Sequence, residues 1–118
     1  MITEKELERI LNGDAKLLNS KAKELGGFYA REGLTTSQIR NVFDEIQNMA
    51  IFTESVLQLL KPKIAYTAGR NYRVKVLKQD FYPMMEKLID MTNANNFTNF
   101  KNFIEAIVAY HRFEGGKE

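Results

Sequence analysis

Apolar side chains recur at intervals of three and four residues along most of this chain, and no stretch alternates convincingly between apolar and polar residues. The clearest run follows Gly33 and extends from Ile39 to Leu60. This period places apolar residues on one face of an α-helix, whereas a half-buried strand needs a period of two. With 118 residues, 44% of them hydrophobic, the chain has the usual size of one domain. We therefore predict an all-α fold, a compact single-domain bundle of about five helices over residues 1–118.

Capping residues predict where several of these helices begin. Thr3 with Glu6, and Thr35 with Gln38, have the spacing of a capping box, in which each side chain satisfies a free amide of the first turn. Asp14 can cap a second helix in the same manner. The apolar run that follows Thr35 is then a long core helix.

Glycine and proline predict where the helices end. Gly13 should end the first helix, and the pair Gly26 and Gly27 should end the second. Pro62 cannot continue the long core helix without losing a backbone bond, so the chain should kink or restart there, with Pro62 well placed as the first residue of a new helix. Its predicted buried side consists of Ile64, Ala65, Ala68, Tyr72 and Val76.

The rest of the chain predicts two further helices. After a break near Gln79, the next helix tolerates Pro83 in its first turn and ends within Thr92–Asn96. The last helix begins at Phe97 and ends before Gly115 and Gly116. Residues 114–118 should form a flexible tail, and residues 1–25 a variable N-terminal helical segment.

Charge is distributed unevenly along the chain. Residues 1–54 carry seven basic and nine acidic side chains, residues 55–79 carry six and none, and residues 80–118 carry four and six. A nearly neutral protein thus concentrates its positive charge in one acid-free stretch, residues 55–79, which we call the basic stretch. Such a block predicts a polyanionic partner, or else a solvated helix face to which neighbouring elements supply acids.

Little in the sequence favours catalysis. The absence of cysteine and the single histidine, His111, exclude a thiolate metal site and a multi-histidine site. No nucleophile has an adjacent base, and no pair of acids has a motif's spacing. We therefore expect no enzyme activity, no cofactor and no metal. The charged beginning and the absence of a long apolar run predict a cytoplasmic protein without a membrane span.

Two kinds of partner fit the basic stretch. Its cations can neutralise phosphates, and Tyr66 and Tyr72 can offer rings to an unstacked base, which favours RNA binding. A helical adaptor or oligomerisation protein, whose basic helix contacts an acidic protein partner, would carry the same pattern. The residues alone do not separate these alternatives.

Three ordered blocks narrow the choice: GLTTSQIRNVFDEI (Gly33–Ile46), LLKPKIAYTAGR (Leu59–Arg70) and FIEAIVAYHRFEGG (Phe103–Gly116). Together they resemble the small subunit of the Csm effector complex of type III-A CRISPR systems, over residues from about Leu25 to Gly116. The resemblance implies an all-helical, non-catalytic subunit in antiviral defence. It would stack as a filament of copies beside the guide RNA and bind the target RNA strand. Its partners would be the target RNA and guide-RNA duplex, the other Csm subunits and further copies of itself.

The resemblance also implies RNA-contacting residues, namely Arg40 of the SQIR block, Lys63, Tyr66 and Arg70 of the second block, and His111 with Arg112 of the third. The charge pattern extends this set within the basic stretch to Lys61, Arg73, Lys75 and Lys78. Arg40, Tyr66 and His111 have a structural alternative, in which each side chain holds helices in place and does not contact RNA. A surplus of apolar helix surface also favours a homodimer of the isolated protein.

Overall fold

The computed structural model describes residues 2–118, so Met1 of the predicted domain lies outside the described residues. Within this range the chain forms six α-helices and one π-helical turn and no strand, which confirms the all-α class and adds a helix to the expected five or so. The helices are α1 Glu4–Leu11, α2 Ala15–Arg31, α3 Thr36–Asn48, α4 Glu54–Arg70, α5 Tyr82–Met91 and α6 Phe97–Phe113, and the π-helical turn Leu77–Phe81 leads directly into α5.

The predicted capping residues stand at the beginnings of α1, α2 and α3. Thr3 and Glu6 exchange hydrogen bonds, with Thr3 Oγ1 3.1 Å from the amide of Glu6 and Glu6 Oε1 2.9 Å from the amide of Thr3. Asp14 accepts a bond of 3.0 Å from an amide in the first turn of α2. Gln38 accepts one of 2.9 Å from the amide of Thr35. Local capping chemistry therefore determines where these helices begin.

The prediction that Gly26 and Gly27 end the second helix is wrong, because α2 continues to Arg31. A Cβ atom on Gly26 would lie 2.7 Å from the backbone nitrogen of His111 and 2.8 Å from the carbonyl oxygen of Ile107. Glycine serves here to let α2 and α6 approach closely, at a cost in helix propensity of about 1 kcal/mol relative to alanine.

The predicted long core helix over Ile39–Leu60 is two helices, because residues 49–53 separate α3 from α4. The ammonium group of Lys101, on α6, donates to the carbonyl oxygens of Met49 at 2.8 Å and Gln47 at 3.4 Å. A distant residue thus satisfies carbonyl groups that the end of α3 leaves free. The apolar spacing passes through the break because both helices face the same core.

Pro62 does not begin a helix as predicted but lies inside α4. It is exposed, so solvent can satisfy the carbonyl group of Gln58 that an amide at position 62 would otherwise bond. The basic stretch is consequently not one helix: it runs through α4, the segment after it and into the π-helical turn. Of its predicted buried side, Ile64, Ala68 and Val76 are buried, whereas Ala65 and Tyr72 are exposed.

The predicted break near Gln79 is also misplaced. Gln79 lies within the π-helical turn, and the irregular turn of the chain is at residues 71–74. Pro83 is the second residue of α5, as expected for the first turn, and Thr92–Asn96 separates α5 from α6 as predicted.

Helix α2 packs against α6 more extensively than any other pair of elements in residues 2–118. The two run in the same direction. Asn99, near the beginning of α6, donates to the carbonyl oxygen of Leu11 at 2.9 Å, and His111, near its end, contacts that of Leu34 at 2.6 Å. Buried side chains from every helix and from the π-helical turn join one core cluster.

Helices α3 and α4 form an antiparallel pair. Gln38 at the beginning of α3 contacts Asn71 at the end of α4, and Glu45 further along α3 contacts Lys63 in the middle of α4. This pairing brings the polar face of α3 beside the basic half of α4.

Candidate nucleic-acid interface

Four cations of the basic stretch are exposed, and we call them together the basic surface: Arg70, Arg73, Lys75 and Lys78. Arg70 ends α4, Arg73 and Lys75 follow it, and Lys78 lies in the π-helical turn. Within residues 2–118 none of the four forms an ion pair. Their charge is therefore available to a partner.

Two exposed tyrosines adjoin the basic surface. Tyr66 and Tyr72 are 70% and 69% exposed, which is unusual for aromatic rings. The guanidinium group of Arg73 lies 5.8 Å from the centre of the Tyr72 ring. Basic groups interleaved with exposed rings are typical of surfaces that bind single-stranded nucleic acids.

Lys61 and Lys63 have acidic partners from neighbouring helices. Lys63 lies 2.8 and 2.9 Å from the two carboxylate oxygens of Glu45, on α3. Lys61 pairs with Asp90, on α5. Hydrogen bonds from Gln58 and then Lys61 hold the pKa of Asp90 below its ordinary value. For these two lysines, neighbouring elements supply the acids that the basic stretch lacks.

Arg40 and Arg112 lie beside the tail. The carboxylate of Glu118 is 3.2 Å from Arg112 and 3.9 Å from Arg40, and Arg112 also donates to the carbonyl oxygen of Gly116 at 2.8 Å. Both arginines are about half exposed. A partner can still contact both arginines, but the Glu118 carboxylate already neutralises part of their charge.

The tail itself folds back onto α3. The amides of Thr36 and Ser37 donate to the carbonyl oxygens of Lys117 and Glu118 at 3.0 and 2.7 Å. These contacts satisfy amides in the first turn of α3. The flexibility of residues 114–118 stays a prediction.

His111 lies in the core and not on the surface, being 3% exposed. Its Nε2 atom is 2.6 Å from the carbonyl oxygen of Leu34, so Nε2 carries the proton and donates. Gly116 covers the ring, since a Cβ atom there would lie 2.2 Å from it. This position matches the structural alternative for His111, and we do not include it in the candidate interface.

The antiparallel pairing of α3 and α4 also forms a groove that the sequence did not indicate. We call it the α3–α4 groove; it is lined by Ser37, Gln38, Asn41, Tyr66, Thr67, Arg70 and Asn71. The sequence did not predict the α3 side of the groove, because this side exists only if a break separates α3 from α4. A run of polar side chains on the outer face of α3 was the available signal.

The π-helical turn that carries Lys78 is tied to α2. The hydroxyl group of Tyr29 donates to Asp80 at 2.7 Å, and both side chains are buried. Burial and the Asp80 carboxylate raise the pKa of Tyr29 well above its ordinary value, so the hydroxyl stays a donor. This bond fastens to α2 the turn in which Lys78 lies.

The described part of the chain holds no cluster of three or more histidine, aspartate or glutamate side chains that could bind a metal ion. Among the same residues, no helix is both long enough and apolar enough to cross a membrane.

Comparisons with known proteins agree with the resemblance. Residues 12–117 match the family described as Csm2 Type III-A, which extends the matched region beyond Leu25 toward the N-terminus. The chain is also similar to the CRISPR system Cms protein Csm2 of Streptococcus thermophilus, with 31% identity over 100 residues that cover 72% of this chain and 76% of that protein. No solved structure matches the chain significantly. This chain therefore belongs to the Csm2 family of type III-A CRISPR systems, as its three sequence blocks indicated.

Proposed function

We propose that this protein is a non-catalytic small subunit of a type III-A RNA-guided complex and binds the backbone of the target RNA. The observation that carries the proposal is the basic surface, where Arg70, Arg73, Lys75 and Lys78 are exposed and have no internal ion pair among residues 2–118. Family membership supports the assignment to the complex. Its partners are then the other Csm subunits and the target RNA paired with the guide, in the cytoplasm of the cell.

Such a surface binds without reading sequence. Arginine and lysine neutralise phosphates and release condensed counterions, which gives an affinity that falls steeply with salt. Sequence is read by pairing between guide and target, a division of labour known from other RNA-guided effectors. The small subunit therefore holds the shape and charge of the strand.

Binding by one copy should be weak, because it offers few phosphate contacts. A filament of copies beside the guide RNA raises the effective concentration of each surface for the next segment of the strand. We also propose that the isolated protein forms a homodimer, since Ile51, Leu59 and Phe113 are 74%, 62% and 76% exposed.

The test reverses charge on the basic surface with R70E and R73E together. The control, K5E with K23E, makes the same change in net charge on exposed lysines of α1 and α2 that have no ion pair within residues 2–118. We expect the first variant to weaken salt-sensitive binding of target RNA by the assembled complex on the order of tenfold or more. The control should bind normally.

Unchanged RNA binding by the R70E/R73E complex would exclude the basic surface. Loss of the variant subunit from the purified complex would instead support the adaptor function, in which the basic stretch contacts an acidic protein. A separate experiment tests the non-catalytic assignment. RNA incubated with the isolated protein should stay intact.

A further inference from the structure

The α3–α4 groove has walls that internal hydrogen bonds hold in place. Gln38 accepts from the amide of Thr35 and donates to Asn71 at 3.4 Å, and Asn71 donates to the carbonyl oxygen of Thr67 at 2.9 Å. This chain of bonds joins the beginning of α3 to the end of α4. The groove is therefore formed before any ligand binds.

Three side chains that line the groove, Tyr66, Asn41 and Arg70, take no part in these internal hydrogen bonds. The Tyr66 ring is 70% exposed. Neither its hydroxyl group, nor the Asn41 amide, nor the Arg70 guanidinium makes a side-chain hydrogen bond or ion pair within residues 2–118. Tyr66 and Arg70 are four residues apart on α4, so their side chains are neighbours on one face. Asn41 faces the same space from α3.

These three groups match the parts of a nucleotide. An exposed ring stacks on a base, an amide bonds to the edge of a base, and a guanidinium group binds a phosphate. A base inside an A-form duplex is paired and stacked on both faces, so it offers no face to a protein ring. Away from the ends of the duplex, a ring on the protein surface can therefore stack only on a base that has left the duplex or was never paired.

We propose that the α3–α4 groove binds one unpaired nucleotide of the target RNA, with Tyr66 stacked on its base, Asn41 at the base edge and Arg70 on a flanking phosphate. This inference rests on the proposed binding of target RNA and adds a subsite to it. Arg70 belongs to both the groove and the basic surface, so the bound strand continues from the groove onto Arg73.

The experiment uses the assembled complex with target RNAs that carry 5-iodouridine at successive positions, including unpaired ones. On irradiation, we expect a crosslink between Tyr66 and an unpaired position, identified by mass spectrometry of the digested protein. Y66A should abolish this crosslink and lower affinity for the target about fivefold or more. Y66F keeps the ring and should retain both the crosslink and the affinity.

Three results would overturn the subsite. They are a wild-type complex without a Tyr66 crosslink, Y66A binding as tightly as Y66F, and loss of the Y66A subunit from the complex, which would assign the ring to a protein contact. In the first two cases R70E/R73E remains informative: if it still weakens RNA binding, the basic surface stands and only the nucleotide subsite fails. Because Tyr66 is exposed, the isolated Y66A and Y66F proteins should have the melting temperature of the wild type. Equal melting temperatures would exclude misfolding as the cause of a lost crosslink.

Discussion

Gly26 of α2 lies against the backbone of His111 in α6, so closely that a methyl group on Gly26 would be 2.7 Å from the His111 nitrogen. Because atoms around this point are backbone, they cannot move aside as a flexible side chain would. The absence of a side chain at Gly26 lets α2 and α6, the most extensive helix pair of the described residues, pack this closely.

We expect Gly26→Ala to destabilise the protein by about 1–3 kcal/mol, because the added methyl group overpacks this contact. Gly69→Ala is the matched control: Gly69 lies in α4, and a Cβ atom there would meet nothing within 4 Å. That change should be neutral or stabilise by up to about 1 kcal/mol. Chemical denaturation of both variants measures the difference, and equal stability of the two would contradict the packing role of Gly26.

His111→Ala should lower the free energy of unfolding without a direct effect on RNA. The change removes the donor that satisfies the buried carbonyl group of Leu34, which costs about 1–3 kcal/mol. RNA binding by assembled complexes, measured well below the melting temperature of the variant, should match the wild type. A variant of normal stability that has lost RNA binding would return His111 to the interface.

Lys101→Met tests the junction between α3 and α4. Methionine keeps the apolar stem but loses the bond to the carbonyl oxygen of Met49 and the cation–π contact with Phe97, 5.6 Å from the ring centre. We expect a loss of about 1–2 kcal/mol, with faster hydrogen exchange at residues 45–53. Unchanged exchange there would show that Lys101 does not hold the end of α3.

Tyr29→Phe should loosen the π-helical turn. The buried Asp80 carboxylate loses its hydrogen-bond donor, which costs about 1–3 kcal/mol. Asp80→Asn keeps an acceptor for the Tyr29 hydroxyl group and should cost less. Thermal melting ranks the two variants, and the reverse order would show that the bond does not hold the turn.

Acid should weaken the fold through its capping carboxylates. A hydrogen bond from the Leu17 amide and then one from Arg9 lower the pKa of Asp14 below its ordinary value of 3.8. A carboxylate with a lowered folded-state pKa stabilises the fold above its unfolded-state pKa, and this contribution disappears as pH falls through the folded-state pKa.

The melting temperature should therefore fall as pH drops below about 5 and on through the lowered folded-state pKa of Asp14. Asn is also a good helix cap, so Asp14→Asn should keep the cap and show a shallower fall. A fall as steep as that of the wild type would mean that Asp14 does not contribute.

Helix beginnings follow from the sequence where their cause is local. The caps at Thr3 and Asp14 act within one turn, so their spacing predicted where α1 and α2 begin. The boundaries predicted at Gly26 and Pro62 are wrong, because helix propensities describe an isolated helix and both residues lie inside helices of the folded protein. Gly26 is explained only by the backbone of α6, which lies far away along the chain.

The candidate site also contains residues that the sequence could predict and residues that it could not. Charge identified Arg70 and Arg73 as exposed cations, since an acid-free stretch cannot pair with itself. The partner of Lys63 is Glu45 on another helix, and the partner of His111 is the carbonyl group of Leu34 in a loop. Neither contact can be deduced from residue spacing in the sequence. Asn41 joins the site only through the pairing of α3 with α4.

The parallel contact between α2 and α6 has a consequence for synthesis of the protein. During translation α2 is made well before α6, which covers its glycine face. The nascent chain therefore cannot complete this core before α6 has been made. Until then the face of α2 that α6 covers remains exposed, and incomplete chains with exposed apolar surface are prone to aggregate.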